Sequence, residues 1–334
     1  MRHPPAADAG TQTVAWLRDE QLRVDDAWAV ATPAGFTWWP DMQAQTIEVV
    51  GSEQAGPGGP VGHFVSVKTE LLRSVELDTE GAAVLSDALM LSSAMTGVVY
   101  DEAERTLALH SLVTVTGENM PWMRSLLGAA AMMQIAEARA IAPQLAGAMN
   151  AAVPGAGHPE KGPRPEPAPI VGAIFDLLVA PGQEPCRWTK DEFQQAFEGG
   201  IDQPPAVGAR LEEKGGWVVQ VPIGGEFSVI CRVLSSESHP RYGNGLFVLQ
   251  QFPLTPPTEE DGIGLALALN GLELAQRPFG YGFGSYAARN KDFYFLSFLP
   301  NAVYVPGLLL NIHWSCIQRV QAVHAVLSSQ EVEE

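Results

Sequence analysis

Consecutive signals for a helix, a hairpin and a second helix occur in residues 258–327, TEEDGIGLALALNGLELAQRPFGYGFGSYAARNKDFYFLSFLPNAVYVPGLLLNIHWSCIQRVQAVHAVL. Thr258 is a residue type that caps helices, and three carboxylates follow it in the first turn. Two strand-like runs, 280–286 and 293–299, then flank a polar turn. Pro306 fits the first turn of a long helix whose apolar residues recur at steps of three and four. The segment therefore predicts helix, strand, strand, helix.

A weaker copy of this segment covers residues 79–148, with the same order of signals. Pro121 and Pro306 lie 185 positions apart, and so do Gly97 and Gly282, which open a predicted strand in each half. A helix and strands precede each copy. Since a two-stranded hairpin is not stable alone, each half is expected to join its strands in one antiparallel sheet covered by helices. The predicted fold is α+β, with two tandem copies of an α-β-β-β-α-β-β-α domain.

The length of 334 residues agrees with two domains. A run of prolines and glycines separates them at residues 150–169, and such a run resists both helix and sheet. The predicted boundaries are a first domain at 1–150, a linker and docking segment at 151–182, and a second domain at 183–334. A proline-rich ligand for another domain is an alternative interpretation of the linker.

Composition excludes several classes of protein. The net charge of −18 opposes binding to phosphate backbones, so we expect no nucleic-acid partner. The three cysteines, Cys186, Cys231 and Cys316, are not closely spaced, which favours free thiols in a reducing cytosol. We see no signal peptide at the N-terminus and no apolar run long enough to span a membrane. The sequence therefore predicts a cytoplasmic protein without a membrane span.

Motifs for catalysis or cofactors are missing from the sequence. No serine-hydrolase elbow or phosphate-binding loop occurs, and Gly262-Ile263-Gly264 only begins a dinucleotide-like pattern. His313 and His324 lie on one face of the last predicted helix, but eleven residues separate them by about 16 Å, too far to share a metal ion. We therefore predict no cofactor, no metal and no catalytic residue.

Alternating glycines at residues 280–284 are the sharpest functional signal. Glycine weakens a strand unless a ligand or another backbone comes close, and tight packing of a helix is the competing explanation. Around them we predict a sheet face that receives a client segment. Its predicted contact residues are Trp217, Phe227, Gly282 and Phe283.

The order of elements in residues 216–251, 258–274, 282–299 and 306–327 resembles the type III secretion chaperone-like superfamily, including the YbjN-type peptide-binding chaperones. The resemblance rests on element order and covers most of both halves. It implies an acidic, non-catalytic protein that binds extended segments of client proteins and pairs through a helix or strand. A fused tandem departs from the single-domain pattern, and its two halves would pair within one chain.

The resulting hypothesis is a chaperone- or adaptor-like module that binds a protein or peptide client. An alternative is an enzyme with a pocket at the domain joint, using His239, Glu259 or Ser285. A third hypothesis is a homo-oligomer held by the alanine-rich helix that follows Pro121. The interface residues predicted on this helix are Trp122, Leu126 and Met133.

Overall fold

The computed structural model describes residues 8–155, 157–224 and 227–330. The chain forms two antiparallel sheets with helices packed on them, so the fold is α+β. Over the described residues, no helix combines the length and apolar character needed to cross a membrane.

The first half forms one six-stranded sheet. Its helices are α1 (Ala9–Trp16), α2 (Thr79–Leu85) and α3 (Met120–Ala148). Its strands are β1 (Ala29–Thr32), β2 (Gly35–Trp38), β3 (Gln45–Gln54), β4 (Val61–Leu72), β5 (Gly97–Asp101) and β6 (Thr106–Val115). They lie in the order β1-β2-β3-β4-β6-β5.

The second half, preceded by the short helix α4 (Pro169–Ile174), forms the other sheet. Its helices are α5 (Lys190–Ala196), α6 (Glu259–Gly271) and α7 (Leu308–Gln330). Its strands are β7 (Val207–Leu211), β8 (Gly216–Gly224), β9 (Phe227–Leu234), β10 (Ser238–His239), β11 (Gly243–Phe252), β12 (Ser285–Arg289) and β13 (Asp292–Pro300). Six strands lie in the order β12-β13-β11-β9-β8-β7, and β10 pairs only with β11.

Helix ends follow the local chemistry of the sequence. Asp78 caps α2 by accepting from the Gly81 amide, and α6 begins with a capping box between Thr258 and Asp261. Several helices continue into a wider π-helical turn, at Leu17–Gln21, Ser86–Met90, Phe175–Val179, Phe197–Ile201 and Leu272–Gln276. Three short 3-10 turns occur at Asp26–Trp28, Ala180–Gln183 and Asn301–Val303. α3 continues through Pro143 to Ala148, because Ala142 and Leu145 bury apolar surface on either side of the proline.

Each half has four strands in the continuous order of its sheet before the middle helix, so the predicted count of three was wrong. The additional strands are β1, which the sequence did not indicate, and β7, whose bounds coincide with a possible strand at residues 207–211; both lie at the outer edges of the two sheets. β1 has only four residues, all exposed or half-buried, and therefore shows no alternation that a sequence pattern could reveal. β7 is likewise largely exposed and is broken by a bulge between Val207 and Arg210.

The predicted linker is held on the first half. Ala152 pairs with Arg73, which follows β4, through two backbone hydrogen bonds of 2.8 and 2.9 Å. Farther along, the Ala168 amide donates to the Pro40 carbonyl at 2.7 Å. Helix α4, part of the predicted docking segment, packs on α3. Proline and glycine thus keep this segment free of long helix or strand, while backbone bonds fix both of its ends.

The two halves meet along the inner edges of their sheets. β5 and β12 approach each other, and α6 packs on both of them. One backbone pair joins the sheets, since the Leu112 and Gly282 amides each donate to the other residue's carbonyl, at 3.3 and 3.1 Å. Thr79 adds a side-chain bond to Glu260 at 2.9 Å. Packing of α6, one backbone pair and a side-chain hydrogen bond thus join the two halves.

Candidate functional site

Three of the four residues predicted to contact a client are enclosed by the chain itself. Trp217 is fully buried under α7, where its ring lies 5.3 Å from that of His313. Phe283 is also buried, and Gly282 is engaged with Leu112. Phe227 alone among the four is exposed, with 63% of its surface accessible. The predicted binding face around the glycines is therefore an internal contact.

The pattern of glycines at residues 280–284 indicates either that a ligand or another backbone comes close or that a helix packs tightly on them. The structure shows protein backbone close to these glycines. A Cβ at Gly282 would overlap the Leu112 carbonyl oxygen, and one at Gly280 would lie 2.6 Å from the Ser315 carbonyl oxygen. Gly284 has a φ of +139°, a conformation that L side chains rarely adopt. Residues 280–284 precede β12 rather than forming its first part. What comes close is protein backbone, from the first half in the case of Gly282.

An open apolar groove surrounds Phe227. It lies between the β8–β9 hairpin, the chain that leaves β11, and the C-terminal part of α7, and its volume is about 540 Å³. Its apolar side chains are Ile223, Phe227, Phe252, Pro253, Leu254, Val320, Val323 and Leu327. His324 is the one ionisable residue in the lining, among the residues that the structure describes. The groove is therefore suited to apolar groups of a ligand rather than to a charged one.

Strand geometry explains why these side chains are left open. Along β9, Phe227 has the same parity as Val229, Cys231 and Val233, which are buried, so it lies on the face of the sheet that α7 covers. Ile223 continues the buried face of β8 in the same way. The hairpin extends beyond the packed core, and its last inward residues remain accessible.

On α7, Val320, Val323 and Leu327 recur at steps of three and four and form the helical side of the groove. Val320 and Val323 are each 1% exposed, whereas Leu327 is half-buried. Pro253, directly after β11, cannot donate a backbone hydrogen bond and so limits further pairing. Sequence reasoning missed these residues because an apolar stripe along a helix predicts a buried core. Phe227 is the groove residue that the sequence did indicate as a client contact.

A charged network lies beneath this region and is closed to solvent. Arg319 on α7 and Glu273 are 2% and 0% exposed and form a bidentate pair, with Arg319 Nε 3.0 Å and Nη2 2.8 Å from Glu273 Oε1. Tyr286 donates to Glu273 at 2.7 Å, and Arg319 Nη1 donates to Gln250 at 2.8 Å. Burial would lower the pKa of Arg319, but the Glu273 carboxylate raises it above its usual value.

This network satisfies its own polar groups and leaves little room for a substrate. Arg319 also stacks over the Phe295 ring, with Cζ 3.6 Å from the centroid. The neighbouring cavity, lined in part by Tyr281, Phe283 and Ser315, has a volume of about 20 Å³. That space suits roughly one water molecule. We therefore conclude that this network stabilises the fold and is not a substrate-binding site.

The predicted interface residues of the alanine-rich helix are used within the chain. Leu126 and Met133 are fully buried in α3. Trp122 is half-buried against Tyr281 of the second half, with ring centroids 5.7 Å apart. The apolar surface expected to bind another copy is therefore covered by the protein itself.

The joint between the halves is a packed polar interface. Glu137 on α3 accepts hydrogen bonds from Tyr242 at 3.0 Å and Thr96 at 2.8 Å, and burial raises its pKa. His239 stacks on Tyr242 at 5.0 Å, and its Nε2 lies 3.1 Å from the Ser92 carbonyl oxygen. Burial lowers the pKa of His239, which favours the neutral ring.

The residues of the enzyme hypothesis do not converge. His239 is bound at the joint, while Ser285 is buried and accepts a 3.0 Å hydrogen bond from Asn270. Glu259 is exposed in the first turn of α6. Across the described parts of the chain, no hydrogen bond links any two of these three residues. The same residues contain no group of three or more histidine, cysteine, aspartate or glutamate side chains placed to hold a metal ion.

Comparison of the sequence and structure with protein-family models, curated proteins and solved structures gave no match.

Proposed function

We propose that this chain is a non-catalytic, chaperone- or adaptor-like module that binds a client protein or peptide segment in the groove around Phe227. The observation that carries the proposal is the groove itself: an open apolar depression with a phenylalanine that is 63% exposed. Exposing such surface to water is unfavourable unless a partner covers it. The type III secretion chaperone-like resemblance supports the same class of work.

The proposal includes a tandem duplication of one domain. In both halves, four strands in the continuous order of the sheet precede the middle helix, two strands follow it, and a long helix ends the unit. The strand orders agree as well, because β7, β8, β9, β11, β12 and β13 take the places of β1, β2, β3, β4, β5 and β6. Equal order and equal sheet position support descent of both halves from one unit.

Buried contacts at one matching position of the last helices add support, with the glutamines supplied by different strands, Gln45 by β3 and Gln250 by β11. Gln45 donates to the Ala131 carbonyl and Gln250 donates to the Cys316 carbonyl, in each case at 2.9 Å. Ala131 and Cys316 lie 185 positions apart on α3 and α7, the spacing already found between the two prolines. In each half, therefore, a buried glutamine of the sheet binds the same turn of the last helix.

The sheet register corrects the correspondence between Gly97 and Gly282 that their spacing had indicated. Counted from the hairpin turns, Gly97 pairs with His110 and Ser285 pairs with Leu296, each four residues before the end of its strand. Gly97 is therefore equivalent to Ser285, 188 positions away, and not to Gly282. The β12–β13 turn is shorter than the β5–β6 turn by two residues, so the spacing returns to 186 along β13. The spacing of 185 between glycines was coincidental, whereas the spacing on the last helices agrees with the buried contacts.

Charge and thiol chemistry suggest where the module works. A net charge of −18 favours clients with basic residues beside the apolar segment. Cys231 and Cys316 are both buried and free, although they are close enough to interact. Reduced neighbouring thiols suit a reducing compartment, and we propose the cytoplasm.

The test is capture followed by direct titration. The immobilised chain would capture clients from an extract of its native host, and a purified client would then be titrated against wild type and Phe227→Ser. We expect Phe227→Ser to weaken binding at least about tenfold, because a central aromatic anchor carries much of an interface's affinity. Phe175→Ser is the matched control, since Phe175 is 58% exposed and lies outside the groove. Equal affinity of wild type and Phe227→Ser would refute the groove as the client site.

A further inference from the structure

The first half already holds a segment without long helix or strand, with one turn at residues 158–162, in the place that corresponds to the groove. This internal strap, residues 151–155 and 157–168, leaves α3 and crosses the first half. At its start, Ala152 pairs with Arg73 just after β4. At its end, the Ala168 amide donates to the Pro40 carbonyl in the β2–β3 connection. The strap therefore runs from the end of β4 to the β2–β3 connection.

Side chains hold the middle of the strap. His158 is buried between two tryptophans, with its ring 5.9 Å from Trp28 and 5.1 Å from Trp39. Arg164 Nη1 donates to the Trp39 carbonyl at 3.0 Å, and the guanidinium lies 5.1 Å from the Trp28 ring centroid. These contacts are those of a bound peptide: backbone bonds at the ends and side chains seated on aromatic rings.

The sheet register relates this location to the groove. Leu72 pairs with Leu107 and Phe252 pairs with Phe293, and these two partners lie next to the first residue of β6 and of β13. The residue that follows Leu72 is Arg73, and the residue that follows Phe252 is Pro253, a groove residue. Arg73, where the strap begins, is therefore the equivalent of Pro253.

The other walls correspond in the same way. The β2–β3 connection, where the strap ends at Pro40, is the counterpart of the β8–β9 hairpin, which carries Ile223 and Phe227. On the last helices, Ala138 and Val323 lie 185 positions apart. The two ends of the strap are thus bound at elements equivalent to two walls of the open groove, the chain that leaves β11 and the β8–β9 hairpin.

We infer that the groove binds an extended segment of a partner protein with the chemistry of the strap: rich in proline, glycine and small residues, with an apolar residue for Phe227. This inference rests on the proposed function and names its ligand class. It also sets the stoichiometry at one client segment per chain, because the chain's own strap fills the equivalent place in the first half.

The two places differ in one hydrogen-bonding group. The Arg73 amide donates to Ala152, whereas Pro253 has no amide hydrogen and offers only its carbonyl. A partner segment in the groove consequently depends more on apolar contact with Phe227 and Leu254 than the strap depends on such contact in the first half. Proline favours such a ligand because an extended conformation is already populated before binding.

The probe is a fluorescein-labelled peptide with the sequence of residues 151–169, AAVPGAGHPEKGPRPEPAP, titrated with the full chain and followed by fluorescence anisotropy. We expect saturable binding of one peptide per chain, weakened at least about tenfold by Phe227→Ser or Leu254→Ser. Phe175→Ser is expected to bind like wild type. A peptide with alanine at every proline should bind more weakly than the probe.

A second chain, with residues 153–167 replaced by glycine and serine, vacates the first half and should bind two probes. Absence of probe binding by the wild type, or equal binding by wild type and Phe227→Ser, would overturn the inference. If Phe227→Ser loses a titrated natural client while the probe never binds, the ligand class is wrong and the proposed function stands. If the wild type self-associates with rising concentration and Phe227→Ser does not, the occupant is a second copy and the inference is overturned.

Discussion

The last helices of the two halves, α3 and α7, occupy the same place over their sheets but are covered differently. α3 is buried between its own sheet and the second half, where Trp122 contacts Tyr281 and Glu137 contacts Tyr242. α7 packs on its sheet through residues such as Cys316, while Gln318 is exposed. The corresponding helix is therefore covered on two sides in the first half, whereas one side of it remains exposed in the second. What the rest of the chain lays over a unit decides which of its apolar surfaces remain open.

The two halves also differ in the polar contact that joins the last helix to the sheet. Gln134 on α3 accepts from Thr69 on β4 at 2.9 Å, a contact between neutral groups. The residue 185 positions later is Arg319, which donates to Gln250 on β11 at 2.8 Å and pairs with Glu273. Thr69 and Gln250 are themselves equivalent, because they pair with Leu109 and Phe295 in matching registers. One position thus carries a neutral contact in the first half and a buried charge in the second.

The largest expected effect follows from that charge. Arg319→Met leaves Glu273 buried without its partner, so we expect a loss of about 3–5 kcal/mol from the free energy of unfolding of the second half. Gln134→Leu leaves neutral groups unsatisfied and should cost the first half about 1–3 kcal/mol. Native-state hydrogen exchange measures both, because amides of β11 and β4 report the two halves separately.

The double variant Glu273→Leu with Arg319→Met is the control. Removing both charges should restore much of the lost stability, since the cost of the single variant comes from an uncompensated carboxylate. Similar losses for Arg319→Met and Gln134→Leu would contradict the distinction between a charged and a neutral contact.

Local chemistry made much of the fold predictable. Capping at Asp78 and Thr258 and the apolar steps along α7 specify helices without knowledge of what they pack on. The α+β class follows from those elements, and the structure confirms it. The edge strand β1 could not be found, because it has no buried face and therefore no alternation. Pro143 lies inside α3, where burial of its neighbours outweighs the helix-breaking effect of proline.

The candidate site was predictable only in part, because exposure depends on contacts distant in sequence. Trp217 and Phe227 are both aromatic residues of one hairpin and look alike as binding residues. Trp217 is covered by α7, while Phe227 lies beyond the packed core. Leu254 and Val323 join Phe227 only when β11 and α7 are brought together. No local pattern contains that information.

Acid sensitivity gives the second test of the comparison. At equivalent positions, α3 has Gly128 and α7 has His313, which is buried with neither ring nitrogen paired among the described residues. Burial lowers the pKa of His313 to about 4. A lowered folded-state pKa means that its stabilising contribution is present above pH 6.5 and is lost as the pH falls toward 4. Between pH 7 and 4.5 this loss amounts to about 2–3 kcal/mol.

We expect His313→Leu to remove that part of the acid sensitivity of the second half. At pH 7 the variant should be as stable as wild type or more stable, because the buried unpaired nitrogens are gone. Unfolding of both proteins by urea at pH 7 and 4.5 provides the measurement. His324→Leu, at an exposed position of the same helix, controls for the loss of a histidine as such. An unchanged acid response in His313→Leu would show that other groups govern it.

The smallest expected effect concerns the contact that joins the halves. Gly282→Ala introduces a Cβ that overlaps the Leu112 carbonyl oxygen, so the backbone pair between the sheets must open. We expect a cost of about 1–3 kcal/mol, as for other overpacked sites. Hydrogen exchange at the Leu112 and Gly282 amides should accelerate, whereas exchange in the centre of each sheet should change little if the halves fold independently.

Gly264→Ala is the matched substitution, because Gly264 is exposed on α6 and a Cβ there meets no atom within 4 Å. It should stabilise the protein by up to about 1 kcal/mol through the higher helix propensity of alanine. If Gly282→Ala instead accelerates exchange throughout β4 and β11 together, the two units unfold as one. The difference between α3 and α7 would then be part of a single cooperative structure rather than a difference between two domains that dock.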